Sequence, residues 1–287
     1  MTMTTLPIKG PHRSFLQALA SSVFSHGRYT DKGRFADRVS DAAPGNSPTS
    51  SQSLRSPAYD QVARSITCLP LLDTVNLDDR QRADLVIGTA AVEAAWKAVQ
   101  ADARWANHSL MRNCILLALI VRDILHGMGR LDAVVMPVGA QLLRYYNGEP
   151  SNVLTIGSPD APVLPNAWNA HMVVKIGDIL FDPTCGQTQR HWNAAPDTAA
   201  LLLRPECGKV SLFEHGEADA IAQFRYNRAG YDYVMTYFHL TPASAKRAVG
   251  WEAYKDALPK RRAPLVQSAL QMLRNIQLPT ARMGVAA

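Results

Sequence analysis

The chain contains no run of about eighteen apolar residues, the length a helix needs to cross a bilayer, so no membrane span is expected. Its N-terminus lacks the apolar core and cleavage site of a secretory leader. Neither GxxxxGK[ST] nor GxGxxG precedes a helix, so nucleotide-dependent chemistry has no support. The GxSxG elbow that presents a nucleophilic serine is absent as well. Cysteine is sparse, four in 287 residues. Cys68, Cys114, Cys185 and Cys207 stand far apart without a CxxC pair, which fits a reducing compartment better than a disulfide framework. The basic residues behind the formal net charge of +6 are scattered. No basic stripe interleaves with aromatics, and no nucleic-acid partner is expected. There is no internal repeat. These absences leave a soluble, cytoplasmic protein as the expectation.

What is present is enough apolar material for a sizeable core: 47% of the residues are hydrophobic. Length alone suits one large or two small domains. Residues 1–58 differ from the rest, because DAAPGNSPTSSQSLRSP is rich in Ser, Pro and small residues and can bury little. They read as a flexible extension, with a targeting or secretion leader as the alternative, and 59–287 reads as the folded domain.

Within that domain Leu77 to Ala106 has helical apolar spacing, with Asp78 and Asp79 suited to its first turn. Trp96 and Trp105 are assigned to the core. Leu131 to Val138 reads as a strand broken near Pro137, followed by a second strand or short helix at Gln141 to Tyr146. Asn147 to Pro165 holds four prolines and reads as a long loop. Asp197 to Leu203 reads as a short helix, and Asp219 to Tyr226 with Tyr231 to His239 as a strand or helix pair. Trp251 to Leu258 and Ala263 to Ile276 have helical spacing, and Lys260-Arg261-Arg262 between them reads as a solvated turn.

Two stretches carry chemistry. In NAHMVVKIGDILFDPTCGQ apolar residues alternate through Met172, Val174 and Ile176, break at Gly177-Asp178, and resume at Ile179 and Phe181. A two-residue turn there pairs Ile176 with Ile179, Val174 with Phe181 and Val173 with Asp182. His171 and Asp182 then share a face with Cβ atoms roughly 5–8 Å apart. A carboxylate so placed fixes the tautomer and orientation of the imidazole. Upstream, Cys114 opens an apolar run to Val121, continued by Ile124, Leu125 and Met128, that reads as a buried helix ending near Gly127 or Gly129. Ser109 or Asn113 is its N-cap. A cysteine in the first turns meets free N–H groups and the positive end of the helix dipole, which favour a thiolate.

Cys114 with Ala118, Leu125 and Gly129, then Ala133-Val134-Val135, then His171 and Asp182-Pro183-Thr184, together resemble the transglutaminase-like superfamily. The resemblance covers Leu110 to Gln187. It departs from the family pattern at Asn113, where a small residue is common, and at Met172, where an aromatic is common. It implies an α+β, papain-like fold with a nucleophile helix packed on an antiparallel sheet. It also implies a catalytic Cys114, His171 and Asp182.

The chemistry expected is cysteine-dependent acyl transfer through a thioester. Hydrolysis of an amide or isopeptide in a peptide or protein substrate is the first expectation; transfer to an amine and a non-catalytic binding module are the alternatives. The oxyanion donors expected are the Cys114 backbone N–H and one of Trp105, Asn107 or His108. No cofactor is implied. His171, Asp182, Cys185 and His191 include metal-ligand types but lack a repeated ligand spacing, so no metal is expected.

Overall fold

Asp78 caps the first helix, α1 (Asp79–Ala101). Its carboxylate accepts from the Gln81 N–H at 2.7 Å, while the Gln81 side chain accepts from the Asp78 N–H at 3.1 Å. This reciprocal pair satisfies two of the orphan donors at the helix start. The computed structural model describes residues 68–70, 76–104, 113–158, 168–190, 192–193, 198–203, 208–212, 216–228, 230–254 and 257–274. All belong to the compact unit Ala63–Ala287. The expected N-terminal extension and its boundary at Tyr59 lie outside the described residues, as do Trp105, Asn107, His108, Ser109, His191 and Cys207.

The second helix, α2 (Cys114–Gly127), is buried without interruption from Cys114 to Val121. Its first eight residues are apolar on every side, as a helix segment enclosed by other elements must be, and Arg122, Asp123 and His126 follow in its second half. Two more helices among the described residues are α3 (Pro242–Arg247) and α4 (Pro259–Arg274). Of the stretch expected to be helical at Trp251 to Leu258, the described part includes the 3₁₀ turn Trp251–Ala253 and no α-helix.

The expected solvated turn at Lys260-Arg261-Arg262 is instead the first turn of α4, and Arg262 is buried. Its guanidinium donates to Asp123 of α2 at 2.9 Å and to the carbonyl of Ala257. A charge run seen in sequence shows only that cations are adjacent. Helical geometry turns one of the three inward, where a carboxylate meets it.

A nine-stranded sheet accompanies the helices among the described residues. Its strands are β1 (Cys68–Pro70), β2 (Val134–Tyr146), β3 (Glu149–Ile156), β4 (His171–Ile176), β5 (Ile179–Asp182), β6 (Thr198–Leu202), β7 (Lys209–Leu212), β8 (Gly216–Arg228) and β9 (Tyr231–Phe238). The order is β1-β6-β5-β4-β2-β9-β8-β7, with β3 added to β2. Only the short β1–β6 pair is parallel, so the chain is an α+β protein with a mainly antiparallel open sheet.

Three expectations are corrected here. Leu131–Val138 and Gln141–Tyr146 are not separate elements: β2 runs for 13 residues straight through Pro137, which faces Met172 of β4. Pairing with β9 begins only at Gly139, so Pro137 lies where β2 is paired on one edge and its missing N–H is tolerated. The expected loop from Asn147 contains β3. Asn147 and Gly148 have φ of 51° and 84°, the left-handed pair of a two-residue hairpin turn. Thr198–Leu202 is a strand, not a helix, because it lies between β5 and β1 and pairs with both.

The sheet has two buried faces. Met172, Val174, Ile176, Ile179 and Phe181 pack with α1, α2 and α4. Val173, Leu180, Ala199 and Leu201 face the other way and pack with Val138, Ala140, Leu142, Ala222, Phe224, Met235 and Tyr237. Residues from distant strands can meet on that second face only if the sheet curls over on itself. Helices α1, α2 and α4 therefore cover its outside, and a second core fills its inside.

Candidate active site

Strand alternation sends His171 to the same face as Val173, and Asp182 to the same face as Leu180. That is the inside of the curled sheet, the face away from the helices. The hairpin ladder pairs Ile176 with Ile179, Lys175 with Leu180 and Val174 with Phe181, the register that the Gly177-Asp178 break requires. The expected pairing of Val173 with Asp182 is not part of that ladder. Asp182 pairs with Ala199 of β6, and its side chain reaches back to His171.

His171 Nε2 lies 2.7 Å from Asp182 Oδ2, and both side chains are fully buried. Asp182 is surrounded by donors. Its Oδ2 also receives the Tyr237 hydroxyl at 2.6 Å, and its Oδ1 receives the Thr184 N–H at 2.9 Å. An ionised carboxylate takes this pattern, and Nε2 is then the protonated ring nitrogen. The turn that follows is tied to α1, because Trp96 Nε1 donates to the Pro183 carbonyl at 2.7 Å. Trp96 is thus a core residue, as expected, that also holds the Asp182 turn in place.

Cys114 is the first residue of α2, and its helix packs against the other face of β4. Cys114 opens α2 and His171 opens β4, and the thiol interacts with the imidazole. Nδ1 of His171 is buried and has no hydrogen-bond partner among the described residues. The Cys114 sulfur lies beside the ring without completing a bond of ordinary geometry to Nδ1, and close enough to raise its basicity. Burial alone pushes the His171 pKa down. The Asp182 carboxylate and the Cys114 sulfur outweigh it and raise the pKa from 6.5 to about 10. Asp182 and Cys114 thus favour the protonated ring over the neutral one, with Nε2 held by Asp182.

Asn113 is the N-cap of α2, and its side chain makes no capping bond. The first-turn N–H groups, that of Cys114 included, have no intrahelical acceptor. They lie beside the thiol, where a developing oxyanion would need donors. The side-chain donors expected at Trp105, Asn107 or His108 fall outside the described residues.

The other cysteines differ. Cys68 is fully buried, and burial pushes its thiol up to about 12. Cys185 is also fully buried, with its sulfur 3.7 Å from the Tyr237 hydroxyl. Cys114 retains slight exposure, 7%. Among the described residues no group of three or more His, Cys, Asp and Glu side chains is arranged to hold a metal, and no helix is long and apolar enough to cross a membrane.

Tyr237 went unrecognised in the sequence. It lies 55 positions from Asp182 in a strand whose alternating residues are nearly all apolar or aromatic, so no local pattern marks it. No family model, curated protein or solved structure matches the chain.

Proposed function

We propose that this protein is a cysteine-dependent acyl-transfer enzyme of papain-like, transglutaminase-like architecture, with Cys114 as nucleophile, His171 as acid and base, and Asp182 as the group that holds the imidazole. The observation that carries the reading is the wiring of His171. One nitrogen is bound to a buried carboxylate, and the other is buried, unbonded and beside a thiol at the start of a helix. Most buried ring nitrogens that serve only the core are hydrogen-bonded.

In this mechanism Cys114 acts as a thiolate at the first turn of α2, with the protonated His171 ring as its partner. The thiolate attacks an acyl carbon, and the tetrahedral oxyanion is received by first-turn N–H groups. The C–N bond breaks as His171 gives its Nδ1 proton to the departing amine or ammonia, leaving a thioester on Cys114 and a neutral ring. Water then attacks the thioester, His171 takes its proton, and the acid and free thiolate are released. An amine in place of water gives transfer instead of hydrolysis. Hydrolysis of an amide or isopeptide in a peptide or protein is the preferred outcome, since water is the more abundant acceptor.

Hydroxylamine distinguishes this reading from a module without chemistry, because it captures a thioester whatever the natural acceptor. The full chain is incubated with hydroxylamine and a panel of glutamine-containing peptides, protein digests and simple acyl donors. Hydroxamate formation with the wild type and its loss in Cys114→Ser support the reading. Equal traces from wild type and Cys114→Ser across the panel overturn it for those acyl groups.

A further inference from the structure

Among the ionisable side chains in the interior of the curled sheet, Tyr237 is one that the acyl-transfer reading leaves without a role and that reaches the site. Tyr237 projects from β9 and is fully buried. It is flanked in the ladder by Ala140 of β2 and Ala222 of β8. These two small neighbours leave room for the phenol to cross the second core. It arrives at Asp182 on β5, with its ring 6.3 Å from that of His171 and tilted by 35°. The hydroxyl donates at 2.6 Å to Oδ2, the oxygen that also receives His171 at 2.7 Å.

We propose that Tyr237 is a positioning residue of the site, whose phenol fixes the Asp182 carboxylate and shares the oxygen that binds His171, so that it sets both the stance of the imidazole and the strength of its bond to the carboxylate. This rests on the acyl-transfer reading, since positioning has meaning only if His171 acts on Cys114.

Two donors on one oxygen compete. Each withdraws charge from the carboxylate and weakens its hold on the other. Burial and the adjacent Asp182 push the Tyr237 pKa well above 10, so the phenol stays protonated and remains a donor. The groups that face the pair from the surrounding elements are Cys114 of α2, Cys185 after β5 and the more distant Cys68 of β1. None of these supplies a second donor of comparable strength to Oδ2. Thr184 occupies the other carboxylate oxygen and holds it from within the same turn. Tyr237 therefore controls the oxygen that matters to the ring, and does so from across the sheet.

The test is the imidazole resonance of His171 in the full-length protein labelled with ¹⁵N-histidine. Tyr237→Phe removes one oxygen atom and keeps the ring. With the competitor gone, the Nε2–H to Asp182 bond tightens, its proton moves downfield, and the His171 titration midpoint rises by about half a unit or more. Replacing Tyr237 by 3-fluorotyrosine keeps the hydroxyl and makes it a stronger donor. The proton then moves upfield and the midpoint falls. The fluorinated protein keeps the proposal testable should Tyr237→Phe not fold.

Opposite shifts in the two variants support the proposal, whereas an unmoved His171 resonance in either folded variant overturns it and leaves Tyr237 as packing. This readout needs no substrate. A failure of the acyl-transfer reading appears separately, as Cys114 reactivity that does not respond to His171.

Discussion

His171 Nε2 and Asp182 Oδ2 are 2.7 Å apart, with both side chains sealed from solvent. A charged pair so placed is held by its partner and its remaining hydrogen bonds rather than by water, and removing one member exposes the other to the full penalty of burial.

Asp182→Asn keeps the shape and removes the charge. The His171 ring is no longer held as an imidazolium, and the tautomer is free to invert. The rate of Cys114 acylation or alkylation at neutral pH should fall by roughly 10²–10⁴-fold. Stability should fall by about 3 kcal/mol, read from urea denaturation. A variant with undiminished Cys114 reactivity would remove Asp182 from the mechanism.

The His171 pKa, raised from 6.5 to about 10 in the folded protein, links stability to pH. A raised pKa means that the folded state binds the proton more tightly than the unfolded state. The resulting stabilisation is complete below about pH 6.5 and is lost as pH rises toward about 10. Urea midpoints measured across that window should decline more steeply in the wild type than in His171→Gln, which keeps a donor toward Asp182 but does not titrate. Parallel declines would mean that His171 is not the linked group.

Gly88 of α1 faces the Phe181 ring of β5, and a Cβ at that position would sit inside the ring's van der Waals surface. Alanine is the better helix former by about 1 kcal/mol. Overpacking against a fully buried ring costs about 1–3 kcal/mol, so the steric effect wins. Gly88→Ala should lower the denaturation midpoint, while Gly88→Ala with Phe181→Leu should recover part of the loss. A stabilised Gly88→Ala would show that α1 can move away from the sheet at little cost.

Arg262 and Asp123 join α4 to α2. Arg262→Ala leaves the Ala257 carbonyl without that donor and Asp123 with Arg122 as its remaining ion-pair partner. A loss of about 2–4 kcal/mol is expected, with a double-mutant cycle against Asp123→Asn returning a coupling of at least about 1 kcal/mol. Additive single losses would reduce the pair to coincidence.

Legibility in sequence followed the range of the interactions. The β4–β5 hairpin was readable because Gly177-Asp178 breaks a period-2 pattern, and its register follows from that break. The bounds of α2 were readable because Cys114 and Gly127 end an apolar run. Asn147-Gly148 was an equally clear turn signal, obscured by the four prolines that follow it, although Pro150 itself pairs with Tyr145 in the β2–β3 ladder. Thr198–Leu202 has the composition of a helix and becomes a strand through partners on both edges. The burial of Arg262 and the reach of Tyr237 to Asp182 depend on contacts 139 and 55 positions apart, which no window of local sequence contains.

The measurement that tests the central claim most directly is the rate of iodoacetamide modification at each cysteine, resolved by peptide mass spectrometry at about pH 6, where an ordinary thiol is almost wholly protonated. The comparison is between the native protein and His171→Ala. If His171 activates Cys114, then Cys114 reacts fastest, Cys68 is protected, and the Cys114 rate falls by at least about tenfold in the variant. A Cys114 that reacts no faster than Cys68, Cys185 and Cys207, or whose rate ignores the loss of His171, would contradict the assignment of this site to acyl-transfer chemistry.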